Sequence, residues 1–272
     1  MRRYISRTRQ TLTIWNRRRN TTMNAQLHPL EVNPITGEPF LRLRSHPNII
    51  ITPPRDEDIP AFIPLLNDVT ICDWMSGPPY PYTVEHSTFW VNKCKSECEP
   101  ILKQLHDAKD NPEPIIVRDA PIRYIREVKE DGTDVFIGDV GFIRCPMGEL
   151  MSPKGLPLGT FDWENKQKME DENNALPAGD PRIIWSIGDF LDPKYHGKGI
   201  MTDAVRTFLH EWGIPRMGIR HIWAATHTGN IGSVKVFLKN DFKLIFTHEE
   251  HAVAKGKMRG INLLEWKMDS DK

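Results

Sequence analysis

The chain has 272 residues, with 36 basic and 36 acidic side chains and 39% hydrophobic residues. A zero net charge gives no global pull toward nucleic acid or a membrane surface. No apolar run approaches the roughly 18–20 residues that span a bilayer, and no secretory signal is visible. Cys72, Cys94, Cys98 and Cys145 have neither disulfide-framework nor zinc-ligand spacing, so they read as reduced thiols, with no metal site expected.

The balance of charge is uneven along the chain. Residues 1–30 hold seven arginines and no acid, and the zero total minus these seven leaves −7 on the remainder. Two readings stay open: an organelle transit peptide, which would place the protein in mitochondria, or a basic tail on a cytoplasmic protein. Tyr4, Ile5, Leu12, Ile14 and Trp15 make a poor helical stripe. Residues 1–46 read as a basic, poorly ordered extension, with turns at Asn33-Pro34 and Gly37-Glu38-Pro39. Residues 47–272 read as one domain with an insertion at about 146–182.

Ile49-Ile50-Ile51, closed by Pro53-Pro54, predicts a first strand. Asp56-Glu57-Asp58 puts acids where a helix N-terminus favours them, and Ile59, Phe62, Ile63 and Leu66 repeat at helical spacing. Thr83 starts a second helix that runs to about Ala108. Ile115–Val117 and Ile122–Val128 alternate as strands do, and Glu130–Thr133 turns the chain into Val135–Ile143, a hairpin. The insertion, with its acidic Glu170-Asp171-Glu172, reads as having little regular structure. Its acids either face an acceptor or are simply solvated. Ile183–Leu191 is a buried-type strand. Ala204, Val205, Phe208, Leu209 and Trp212 share one face of a helix expected to stop at Gly213. His221–Thr226 is a strand, Asn230–Leu238 a helix capped by Asn230, and two strands close the chain.

The segment carrying chemistry is Asp192-Pro193-Lys194-Tyr195-His196-Gly197-Lys198-Gly199, between a strand and a helix. Free amides at a helix start, with two glycines that let the backbone approach closely, make an anion site. The P-loop pattern is absent. The dinucleotide fingerprint lacks its third glycine and its ribose acid, which weakens a nucleotide-dependent oxidoreductase.

Read whole, the segment resembles the GCN5-related N-acetyltransferase (GNAT) superfamily, and within it the RimJ/RimL-like acetyltransferases. The phosphate turn Lys194–Gly199 resembles that family's (Gln/Arg)-x-x-Gly-x-(Gly/Ala), with Lys in place of Gln/Arg. Thr202-Asp203-Ala204 resembles its Thr-Glu-Ala, and Asn230-Ile231-Gly232-Ser233 its Asn-x-x-Ser. Lys239-Asn240-Asp241-Phe242 resembles Lys-x-Gly-Phe. The resemblance covers about 48–268.

It implies an α/β fold with a central mixed sheet of about seven strands flanked by helices, splayed between the fourth and fifth. It implies acetyl-CoA as cosubstrate. The pyrophosphate would be held around Lys194, His196, Gly197, Lys198, Gly199, Ile200 and Met201. The pantetheine arm would run beside the strand ending at Leu191, and Asn230, supported by Ser233, would contact the cofactor. Asn230 is equally read as a plain helix cap. Asp189, near the end of the central strand, is the candidate base, with an ion-paired carboxylate as its bland alternative.

Two departures stand out. Many members carry a Tyr where this chain has Phe237, and Asp241 replaces a glycine. The implied activity is acetyl transfer to a primary amine by direct attack: a protein N-terminus, a lysine or a small amine. The alternative is a non-catalytic acyl-CoA-binding protein on the same fold. The 248–260 segment, with His248 and His251, falls where the family places acceptor contacts. No nucleic-acid or membrane partner is expected, and a homodimer is left open.

Overall fold

The computed structural model describes residues 25–151 and 160–268. The arginine-rich start up to residue 24 and residues 152–159 of the insertion lie outside the described residues. The described chain forms one nine-stranded sheet in the order β1-β2-β3-β4-β5-β6-β7-β9-β8. Its strands are β1 (Glu31–Val32), β2 (Pro39–Arg42), β3 (Ile49–Thr52), β4 (Tyr124–Val128), β5 (Asp134–Arg144), β6 (Trp185–Leu191), β7 (His221–His227), β8 (Lys243–Ala254) and β9 (Lys257–Lys267). All neighbours pair antiparallel except β6 and β7, which run parallel. No described helix is long and apolar enough to cross a membrane.

The helices are α1 (Ile59–Asn67), α2 (Val69–Cys72), α3 (Val84–Asp107), α4 (Lys166–Ala175), α5 (Ile200–Phe208), α6 (Ile214–Met217) and α7 (Ile231–Leu238). α1 and α3 cover one face of the sheet through Phe62, Leu66, Val91 and Cys94, packed on Tyr124, Phe136 and Phe190. The other face packs on α5, whose Ala204, Val205 and Phe208 are fully buried against Val140, Phe142 and Trp185. The periodicity of those α5 residues is what an amphipathic core helix requires.

Four expectations are corrected. Residues 25–46 are not all loose lead: they carry β1 and β2, with Leu30, Leu41 and Leu43 almost wholly buried. The helix after β6 does not stop at Gly213 but passes through a π turn into α6 and ends at Gly218, whose φ is 70°. Gly213 instead serves close packing, since a Cβ there would lie 3.0 Å from the Ile219 side chain. Ile115–Val117 is irregular, tied by the Val117 amide to the Arg216 carbonyl. The insertion contains α4, held by Asn173, which bonds both the amide and the carbonyl of Ile184. The sheet also has nine strands where about seven were expected, because β1 and β2 extend one edge.

The four cysteines are buried. Burial pushes the thiols of Cys94 and Cys145 up to about 12, so neither is poised as a nucleophile.

Candidate active site

β6 and β7 pair only at Trp185–Ile222 and Ser186–Trp223. Beyond Ser186 the two strands separate, and among the described residues the β7-side edge of residues 187–191 has no partner strand. The gap opens into a cleft of about 1020 Å³. It is lined by the turn at 195–202, by Ile187–Leu191, Ala225 and Thr226, and by residues of α2, the loop after it and α3.

The turn is built as an anion cradle. Gly197 and Gly199 take φ of 73° and 79°, a region that a Cβ disfavours. A Cβ on Gly197 would meet nothing within 4 Å, so open space stands over it. The first backbone bond of α5 runs from the Asp203 amide to the Gly199 carbonyl at 3.0 Å. The amides of Ile200, Met201 and Thr202 therefore have no partner inside the helix, and the helix dipole adds positive character there. Lys198 stands over the Tyr195 ring at 5.2 Å, and both Lys194 and Lys198 are exposed.

Local bonds hold the turn in place. The Asp192 carboxylate accepts from the Lys194 amide at 2.9 Å, and His196 Nε2 donates to the Leu191 carbonyl at 2.7 Å. That carbonyl is thereby occupied. Residues from the supposed lead add a clamp: His46 Nδ1 lies 2.8 Å from Asp203 Oδ2 and Nε2 3.1 Å from the Lys198 carbonyl. The Ser45 amide donates to the same Asp203 oxygen at 2.8 Å. Asp203 is 6% exposed, so losing a partner leaves a buried carboxylate under-bonded. His46→Ala should raise KM for the cofactor by about threefold to tenfold, the loss of roughly one net hydrogen bond at the turn. kcat at saturation should change much less, and steady-state kinetics over a cofactor series checks this.

Of the expected site residues, Leu191, His196, Gly197, Gly199, Ile200, Met201, Asn230 and Ser233 all line the cleft, whereas Lys194 and Lys198 do not. Asn230 caps α7 by accepting from the Ser233 amide at 3.2 Å. Asp189 lines the cleft half-buried. No ion pair among the described residues compensates it, so burial, with a lesser contribution from nearby Asp139, pushes its carboxyl up to about 7. The ion-paired alternative does not apply among the described residues.

Phe237 points away from the cleft, 1% exposed and packed on Phe242 at 5.2 Å between ring centres. Asp241 adopts φ 64°, so it keeps the left-handed turn that the glycine would supply, as Asp tolerates better than most residues.

Pro146 and Met147 at the start of the insertion line the cleft, but none of its described acidic residues does. Glu170 accepts from the Gly148 amide, Asp171 from Gln167, and Glu172 faces Lys168. His248 and His251, expected near the acceptor, instead pack on Phe161 away from the cleft.

Residues that sequence reasoning missed shape the remaining wall. Arg123 gives Nε to Asp139 at 3.0 Å, and Trp90 Nε1 donates to the same carboxylate at 3.3 Å. The 72–76 loop is tied across the gap: Ser76 Oγ lies 2.8 Å from His227 Nε2, and Lys255 Nζ donates to the Cys72 carbonyl at 2.5 Å.

An acetyltransferase (GNAT) domain model matches residues 48–243. The chain belongs to the GNAT acetyltransferase family. Among solved structures it is similar to the GNAT-family acetyltransferase from Bacillus anthracis, at TM-score 0.54 and 14% identity, covering 84% of this chain and 98% of that one. It is similar to RimL, a ribosomal L7/L12 α-N-protein acetyltransferase in complex with coenzyme A, at TM-score 0.53 and 16% identity, covering 85% and 99%. It is also similar to Mycobacterium smegmatis RimJ in complex with CoA-disulfide, at TM-score 0.50 and 18% identity, covering 86% and 88%. At these identities the likeness lies in the fold, and the fold of this GNAT domain is RimJ/RimL-like. No curated protein matches the chain.

Proposed function

We propose that this GNAT domain transfers acetyl from acetyl-CoA to a primary amine by direct attack, with Asp189 as the base. The observation that carries the reading is the parting of β6 from β7 beside an amide cradle at 197–202. The residues fit the group: unpartnered amides and two glycines for a diphosphate, and a free strand edge at 187–191 for an amide-bearing arm. Bound there, acetyl-CoA supplies an activated thioester.

The chain's own part is to position and deprotonate. An ammonium has no lone pair, so the acceptor must lose a proton near Asp189. Amides on the unpaired β6 edge would be fixed donors for charge developing on the carbonyl oxygen. The base level also discriminates among amines. An α-amino group, at about 7.7–8.0, gives a proton to a carboxylate near 7 almost without cost, whereas a lysine at about 10.4 is roughly three units uphill. This favours an α-amine over a lysine side chain. We therefore expect acetylation of peptides with free N-termini ahead of N-blocked lysine peptides and polyamines, read by release of the free thiol. Binding of coenzyme A with no turnover on any amine would leave only a non-catalytic acyl-CoA-binding role.

A further inference from the structure

The cleft extends past the β6–β7 gap into a region the transfer step does not use, and one buried cation faces it. Arg123 is 11% exposed at its side chain and lines the cleft. Its Nε is committed to Asp139 at 3.0 Å, and its Nη1 lies 3.8 Å from Glu97. The guanidinium lies flat on Gly141: a Cβ there would stand 3.3 Å from both Cζ and Nη2. Trp90 backs it at 5.1 Å from the ring centre. Asp139 is itself shared between Arg123 and Trp90, so the fork is fixed in orientation while Nη2 hydrogen-bonds no described residue. A second cation, Lys93, stands over Trp90 at 5.0 Å and also lines the cleft.

The sheet register places this fork relative to the chemistry. Gly141 pairs with Gly188, and Val140 with Asp189. Opposed residues in an antiparallel pair lie about 4.5–5.5 Å apart. A Cβ on Gly188 would meet nothing within 4 Å, so the floor beside the fork is open. The guanidinium thus shares a sheet face with the open Gly188 position one strand away, while Val140 and Asp189 project from the opposite face, and the cleft reaches both.

We propose that Arg123 recognises the acceptor, and that the amine it selects carries a carboxylate. This rests on the amine-acetylation reading above. An oriented guanidinium edge matches a carboxylate, and a planar fork selects it better than a point charge does. Lys93 adds to the same local attraction. The carboxylate has two sources: a free α-amino acid, or an acidic side chain near the N-terminus of a peptide.

The test is an acceptor panel run on the full chain with acetyl-CoA. It pairs free α-amino acids with their α-carboxamides, and peptides beginning with an acidic residue with their Gln or Asn counterparts. For each pair the ratio of kcat/KM, acid over amide, is the readout. The ratio should exceed one by about tenfold to a hundredfold, as a charge-assisted hydrogen bond commands, and the preference should sit in KM. The free-acid and peptide arms tell the two sources apart. Arg123→Gln should bring the ratio close to one while turnover of the amide persists. Because that variant leaves Asp139 unpaired, Arg123→Lys is read on the same panel: it keeps the charge, loses the fork, and should lower the ratio by about tenfold. Each ratio is taken within one protein, so partial misfolding cancels. A wild-type ratio near one, or one unchanged in a folded variant, overturns the proposal while leaving amine acetylation intact. Absence of turnover on every amine removes both.

Discussion

Asp189→Asn should lower kcat/KM for the acceptor by about 10²- to 10⁴-fold, the span that a positioned general base contributes. The amide keeps the shape of the carboxylate and the strand pairing of β6, so the loss reports on proton transfer rather than on packing. In the wild-type protein kcat/KM should rise with pH through an apparent value near 7, because the base works only when deprotonated and burial pushes its carboxyl up to about 7. The variant's residual rate should lack that limb.

The same substitution should raise stability in alkaline buffer. A carboxyl whose folded-state value lies above its unfolded 3.8 favours the protonated form in the fold. The stability it contributes is complete below pH 4 and is lost as pH rises through about 7. Asn is neutral throughout. Thermal midpoints of the two proteins should therefore coincide near pH 4, and the variant should melt a few degrees higher at pH 8, since about 1 kcal/mol moves a domain of this size by roughly 2–4 °C. Full activity in Asp189→Asn would remove Asp189 as the base, and a stability gain without loss of rate would mark it as merely strained.

Gly197→Val should weaken coenzyme A binding by about 100-fold or more. Two effects act together. At φ 73° a β-branched side chain is strained by about 1–3 kcal/mol. Relief of that strain would rotate the turn and misaim the amides that follow it. If the backbone stays, the new methyl groups enter the open space above the turn, which is where a diphosphate would sit. Gly197→Ala should show a smaller loss in the same direction. Titration calorimetry with coenzyme A measures both, and the thermal midpoint of each apo variant separates global damage from loss of the cradle. Unchanged affinity in a folded Gly197→Val would mean that the diphosphate does not approach this turn.

The cradle was legible because it is local. Glycines at 197 and 199, a preceding strand and a following amphipathic helix are neighbours in sequence, and their conformations follow from short-range sterics. Asn230 was legible for the same reason, as the cap that opens the contiguous pattern Asn230–Ser233. The acceptor wall was not legible, because Trp90 comes from α3, Arg123 from the residue just before β4 and Asp139 from β5. A charged pair in a hairpin reads as solvated surface until α3 covers it. The bulge between Ile125 and Arg126 shifts the β4–β5 register, so counting from the turn mispairs Tyr124 and Asp139. Asp189 could be nominated by position, but its lack of an ion-pair partner is a fact of three dimensions. Gly213 misled because glycine ends helices when it can turn left-handed, and here it stays helical to admit Ile219.

The clamp on the start of α5 comes from Ser45 and His46, just outside the span that the family's members share. A fragment trimmed to begin at residue 48, as homology alone would advise, would keep both glycines of the turn but lose β1, β2 and the buried Leu30, Leu41 and Leu43. It would also leave Asp203 facing solvent and the Lys198 carbonyl unheld. Such a fragment would score as a poor cofactor binder because of where it was cut, and a screen relying on it would misjudge the intact enzyme.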